Sequence, residues 1–152
     1  MNEEKELQLM AVLRENARMP LTKISKTTNI PVSTIFDTLR TLQKGAISKF
    51  TCLLDFRKLG YDVRIHLFFR VPSDKRDEFQ EFLRRHPRIN TVYRINNGYD
   101  FFVEAVFKDV TEYQVFNESL DKQPILERRE HFVLEDVKRE DFLAGKNALS
   151  IG

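Results

Sequence analysis

The residues best suited to chemistry gather in the first third of the chain. Between positions 20 and 50 stand five cations, Lys23, Lys26, Arg40, Lys44 and Lys49, against one acid, Asp37. Short polar side chains recur among them at Ser33, Thr34, Asp37, Thr38 and Thr41. Cations at this density suit phosphate oxygens, and hydroxyls on one helix face suit the base edges of double-stranded DNA. Other chemistries find less support. His66, His86 and His131 are too far apart for a metal motif, and only His66 and His131 fall on strands able to adjoin. Cys52, the only cysteine, lies in an apolar run with no helix start beside it, and reads as a packed thiol rather than a nucleophile. There is no glycine-rich phosphate loop and no serine or cysteine catalytic motif. The residues predict no catalytic site, no metal and no cofactor.

The polar set needs a scaffold. Leu9, Met10 and Leu13 share one face of a helix over 3–17. Leu21 and Ile24 begin a short second helix, with Pro20 near its first turn and Thr22 as a candidate cap. Thr28-Asn29-Ile30-Pro31 is a turn, because Asn tolerates unusual backbone angles and Pro31 stops the helix. A third helix runs over 32–44 with the stripe Ile35, Leu39 and Leu42, Phe36 beside it, and Gly45 as its end. Subtracting that stripe leaves Ser33, Thr34, Asp37, Thr38 and Thr41 outward. Arg40 and Lys44 flank them, with Lys23 and Lys49 as further phosphate contacts. With a strand over 47–54, the pattern is a winged helix-turn-helix.

The rest of the chain has a different grammar. Tyr61–Val71 alternates, with Tyr61, Val63, Ile65, Leu67, Phe69 and Val71 on one face and Asp62, Arg64, His66, Phe68 and Arg70 on the other. A helix follows over 73–86, with Ser73 as N-cap and Phe79, Phe82 and Leu83 inward. Strands over 88–96 and 99–107 flank Asn97-Gly98, a strong hairpin signal. A helix over 110–122 buries Tyr113, Phe116 and Leu120, and a last strand runs over 125–137. Strand, helix, strand, strand, helix, strand is the ferredoxin-like split unit, with both helices on one sheet face. The opposite face is apolar too. Phe68, Phe102, Val106 and either Phe132 or Val133 fall there, and Arg64, His66, Arg94, Glu104 and Glu130 stand ready to pair across it. An uncovered apolar face predicts a two-fold homodimer, sheet on sheet.

Composition sets the class. The chain has 152 residues, 41% hydrophobic and 32% charged, with net charge +2. Residues 1–50 carry eight Lys/Arg against five Asp/Glu, so a small basic module joins a near-neutral body. No apolar run approaches the ~18 residues of a membrane span. An acidic start, where a leader is basic, predicts no export signal, and one cysteine fits a reducing compartment, the cytoplasm. The fold class is therefore α+β: a helix-turn-helix module at 1–50, a hinge strand at 51–60, a ferredoxin-like dimerisation and effector module at 61–138, and a tail at 139–152 to which no role is assigned.

These residues resemble the leucine-responsive regulatory protein/AsnC family of prokaryotic transcription regulators. The matching pieces are Met19–Lys26 before the turn, Ile47–Thr51 with Leu54-Asp55 and Leu59-Gly60-Tyr61, Val92-Tyr93 ahead of Tyr99-Asp100, and the closing Phe132–Leu134. Together they span about 3–138. The resemblance implies DNA binding, a dimer that in many members stacks into octamers, and an amino-acid-like effector at the hairpin Asn96, Asn97, Gly98, Tyr99 and Asp100. Members usually carry Thr-Gly-x-Tyr-Asp there. Here Asn96 and Asn97 replace the Thr and the first Gly, which exchanges close backbone access for an amide and predicts an unusual effector or none. The link between Leu42 and Ile47 is one residue shorter than usual. Sirohaem decarboxylases resemble the same architecture and are the enzymatic alternative. Their His-Asn-Tyr-Arg run reads Thr91-Val92-Tyr93-Arg94 here, so Tyr93 and Arg94 match and the first two positions do not.

Overall fold

The computed structural model describes residues 3–145. The chain divides into two compact units, one from the described parts of Met1–Leu53 and Val137–Gly152, the other Leu54–Asp136.

In the first unit, three helices, α1 (Glu3–Glu15), α2 (Leu21–Thr28) and α3 (Val32–Leu42), close on a small core. Leu9, Leu13, Ile24, Ile30, Ile35 and Leu42 are buried there, with Met19, Leu39 and Ile47 packed against them. Pro20 occupies the cap position of α2 with extended backbone, and no side chain caps it, so Thr22 does not act as a cap. Asn29 takes left-handed backbone (φ 58) and returns its N–H to the Ser25 carbonyl, which lets Ile30 enter the core and Pro31 start α3. α3 ends at Leu42, two residues early. Lys44 and Gly45 close a turn onto the Thr41 and Leu42 carbonyls instead.

The strand expected over 47–54 is not formed. No ladder among the described residues pairs with it, because the unit holds no second strand to satisfy its backbone. Phe50, Leu53 and Leu54 stay exposed, and Cys52 is exposed rather than packed. The described part of the tail, by contrast, has a place. The Arg14 Nε donates to the Phe142 carbonyl (2.9 Å), and Arg14 pairs with Glu140 (3.6 Å).

The second unit is β1 (Val63–Arg70), α4 (Arg76–Arg85), β2 (Ile89–Arg94), β3 (Phe101–Phe107), α5 (Val110–Leu120) and β4 (Glu127–Phe132). All pairings are antiparallel and the strand order is β2-β3-β1-β4, which is the ferredoxin-like arrangement. The elements are shorter than the apolar runs at their ends. Ser73–Lys75 forms a 3-10 turn after Pro72, so α4 begins at Arg76 and Ser73 caps nothing. Asp109 does cap α5: its carboxylate accepts the Glu112 N–H (2.8 Å), while Glu112 accepts the Lys108 N–H (2.8 Å). Ile65, Leu67 and Phe69 of β1, with Phe101, Val103, Ala105 and Phe107 of β3, pack against Phe79, Leu83, Tyr113, Phe116 and Leu120 of the helices. Full burial of each large side chain contributes about 1.5–3 kcal/mol, so this layer holds the helices on one face of the sheet.

Candidate functional site

α3 carries the hydroxyl set and one of its cations, Arg40. Ser33, Asp37, Arg40 and Thr41 are exposed on it, Thr34 is half-buried, and Lys44 follows in the exposed turn. Lys23 is exposed on α2, and Lys49 is exposed in the segment that lacks regular structure. Among the described residues no carboxylate pairs with Lys23, Lys26, Arg40, Lys44 or Lys49. These positive charges are left to solvent.

Two residues of α3 depart from the sequence reading. Thr38 faces inward, 8% exposed, with its hydroxyl donating to the Thr34 carbonyl (2.8 Å). It lies three residues after Ile35 and four before Leu42, inside the buried stripe, and bonding back along the helix satisfies its one polar group. Phe36 does the reverse. It is 52% exposed, and the Arg40 guanidinium carbon sits 6.0 Å from its ring centroid, one helical turn on.

The hairpin between β2 and β3 is built differently. Asn97 (φ 65) and Gly98 (φ 94) both take left-handed backbone, which the Asn-Gly pair tolerates and most residues do not. Asn96, Asn97 and Gly98 are exposed, while Tyr99 and Asp100 are half-buried. The Asp100 carboxylate is fully engaged: Oδ2 accepts the Val71 N–H (2.9 Å) and Oδ1 accepts from Arg76 Nη2 (3.2 Å). It ties the end of β1 to the start of α4. The Tyr99 hydroxyl donates to Glu127 on β4 (3.0 Å). That bond, then Arg70, holds the Glu127 carboxyl below the usual range.

The sheet face away from the helices is aromatic. Phe102 touches Phe68 (5.2 Å between centroids), His66 (4.9 Å) and Tyr93 (6.2 Å), and Phe68 touches Tyr99 and His131. Val106 lies on this face, already largely covered within the chain. A charged group adjoins it. Glu104 accepts from Asn90 (2.8 Å), lies 2.9 Å from His66 and pairs with Arg64 (3.4 Å), whose guanidinium also holds Asp136. The Asp136 hydrogen bond is the main reason Arg64 holds its proton more tightly than usual. Two residues expected on this face belong to the other. Arg94 lies over Phe101, and Glu130 accepts from Tyr113 of α5. Phe132 also touches Tyr113, so of the two closing candidates it is not the open-face one. Strand alternation counted from a boundary a residue or two off reverses such assignments. His66 and His131 are direct partners in the β1–β4 register. No group of three or more potential metal ligands occurs among the described residues. No helix among them is long and apolar enough to cross a membrane.

The chain thus joins a three-helix unit, with exposed cations on and around α3, to a ferredoxin-like unit whose helix-free sheet face is aromatic. Comparison with known proteins identifies the kind. Residues 65–142 match the Lrp/AsnC ligand binding domain. The chain is 30% identical to the HTH-type transcriptional regulator FL11 of Pyrococcus horikoshii over 126 residues, covering 82% of this chain and 83% of that one. It is 26% identical to an uncharacterised HTH-type transcriptional regulator of Pyrococcus abyssi over 143 residues, 93% and 97% of the two chains. The fold matches that of transcriptional regulator NMB0573 from Neisseria meningitidis, solved with L-Met (TM-score 0.84, 19% identity, 91% and 94% covered). It likewise matches LrpC of Bacillus subtilis (TM-score 0.81, 16% identity, 91% and 98% covered). The chain belongs to the Lrp/AsnC family and is a transcription regulator.

Proposed function

We propose that the protein is a cytoplasmic, sequence-specific DNA-binding regulator that works as a homodimer, without catalysis. The first unit is a helix-turn-helix, and α3 enters the major groove with Ser33, Thr34, Asp37 and Thr41 toward base edges. Arg40, Lys44, Lys23 and Lys49 hold phosphates. Phe68 and Phe102, with Val106 at their edge, meet the same residues of a second copy, and pairing brings two α3 helices into one assembly. The observation that carries the reading is the set of cations on and around exposed α3 that, among the described residues, form no ion pair with a carboxylate.

The effector site is the hairpin Asn96–Asp100. Its exposed part is Asn96, Asn97 and Gly98, and the amides there recognise an amino-acid-like ligand through hydrogen bonds, while Asp100 serves as a bracket that keeps the hairpin in place. The L-Met complex of NMB0573 supports a small amino-acid effector. The sirohaem-type alternative is set aside, because the relatives above are named as transcriptional regulators.

The test is DNA selection from a random pool followed by binding titrations across salt. Arg40→Ala with Lys44→Ala should weaken binding at every sequence and lower the salt slope by about one unit per lost phosphate contact. Unchanged affinity and slope would refute the assignment.

A further inference from the structure

Phe36 is the largest side chain of α3, and the core does not use it. Ile35, Thr38 and Leu42 fill the inward arc, and Phe36 stands 52% exposed, with Val32, one turn earlier, 40% exposed. Its neighbours on the surface are Ser33, Asp37 and Arg40, all exposed and all members of the proposed DNA-facing set. The Arg40 guanidinium lies over the ring, which fixes a flexible cation against a rigid plane. An exposed apolar side chain in the middle of a polar helix face needs an apolar partner inside a polar groove. The major groove of DNA offers one among its base edges, the C5-methyl of thymine; the other edges present donors and acceptors.

We propose that Phe36 reads a thymine by packing on its 5-methyl group, with Arg40 held on the ring so that its charge meets the adjacent backbone. The inference rests on the DNA-binding reading above and adds a specificity-determining residue to it. Arg40 over the ring, and the charge balance of the segment that carries Phe36, five cations to one acid between positions 20 and 50, favour DNA over another protein as the occupant of this face.

The experiment uses the full-length protein and duplexes recovered from a random pool. Each thymine is replaced in turn by deoxyuridine, which removes the methyl and nothing else. At one position per half-site the replacement should weaken wild-type binding by about fourfold, the worth of one buried methyl-sized group. Phe36→Ala should bind the thymine and uracil duplexes equally, and Phe36→Leu should keep part of the difference. As Phe36 is exposed, both variants should melt close to wild type. The proposal is overturned if no thymine shows the effect, or if the effect survives in Phe36→Ala, and DNA binding would still stand. If no duplex is recovered at all, the DNA-binding reading falls and this inference with it.

Discussion

α3 and the β2–β3 hairpin are both polar surface features, yet they treat their charges in opposite ways. On and around α3, among the described residues, Arg40, Lys44, Lys23 and Lys49 form no ion pair with a carboxylate, and the Thr41 hydroxyl donates to the Asp37 carbonyl of its own helix. At the base of the hairpin the polar groups are spent inside the unit: Asp100 on Val71 and Arg76, and Tyr99 on Glu127, which also takes Arg70. Unpaired charge on a rigid element has its strongest partner outside the molecule. Paired charge at a turn defines where backbone sits. The first region leaves its cations to solvent, as the proposed binding of a polyanion requires, and the second holds a shape whose tip, Asn96 to Gly98, is exposed.

The contrast can be broken in either direction. The largest effect is expected at the sheet face. Phe102→Asp puts a carboxylate among Phe68, His66 and Tyr93, and should weaken dimerisation by at least about thirtyfold, the cost of losing a central aromatic anchor. Light scattering that shows an intact dimer at low micromolar protein would remove Phe102 from the interface. Next, Asp100→Ala leaves the Val71 N–H and Arg76 without their acceptor, and should cost the second unit about 2 kcal/mol in denaturant unfolding. Arg40→Ala with Lys44→Ala should change stability by less than about 0.5 kcal/mol while cutting DNA affinity, because those side chains touch little in the free protein. If the two variants traded outcomes, the division between binding charge and shaping charge would be wrong.

The smallest effect is one of pH. His86 packs against Phe82 and Phe116, and burial, then the charge of Arg88, hold its pKa below the ordinary value. The folded state therefore favours neutral His86. Stability is fully present above the unfolded value of about 6.5 and falls as pH drops through it toward the lower folded value. His86→Asn keeps an acceptor for the Arg88 N–H that Nδ1 now receives (3.2 Å), and removes the titration. Urea unfolding at pH 7.5 and 5 should show a loss smaller by less than about 1 kcal/mol in the variant.

What could be read in advance follows the reach of each signal. The alternation in 61–71 and the Asn97-Gly98 turn are local properties of backbone geometry, so β1 and the hairpin follow from the residues alone, and the order β2-β3-β1-β4 agrees with the ferredoxin-like reading of the element sequence. The stripe Ile35, Leu39, Leu42 located the buried side of α3, but polarity was a poor guide at its edges. Thr38 is a hydroxyl that the core accepts because it bonds to Thr34, and Phe36 is an aromatic that the core declines. The angular position of 38 on the wheel, between 35 and 42, was the available signal for the first. For Phe36 the signal was weaker, one apolar residue at the border of the stripe.

Strand propensity in 47–54 was likewise real and insufficient, since a strand exists only where another backbone receives its hydrogen bonds. The same limit applies to Arg14 with Phe142 and Glu140, which lie more than 120 residues apart in the chain. Periodicity, turn chemistry and charge balance are short-range quantities, and they determined the helices, the strands, the hairpin and the basic module. Which carboxylates are consumed, which threonine is buried, which aromatic is bare and where the tail returns depend on side chains brought together from distant positions. Only the tertiary structure decides these, because burial and pairing are properties of neighbours in space.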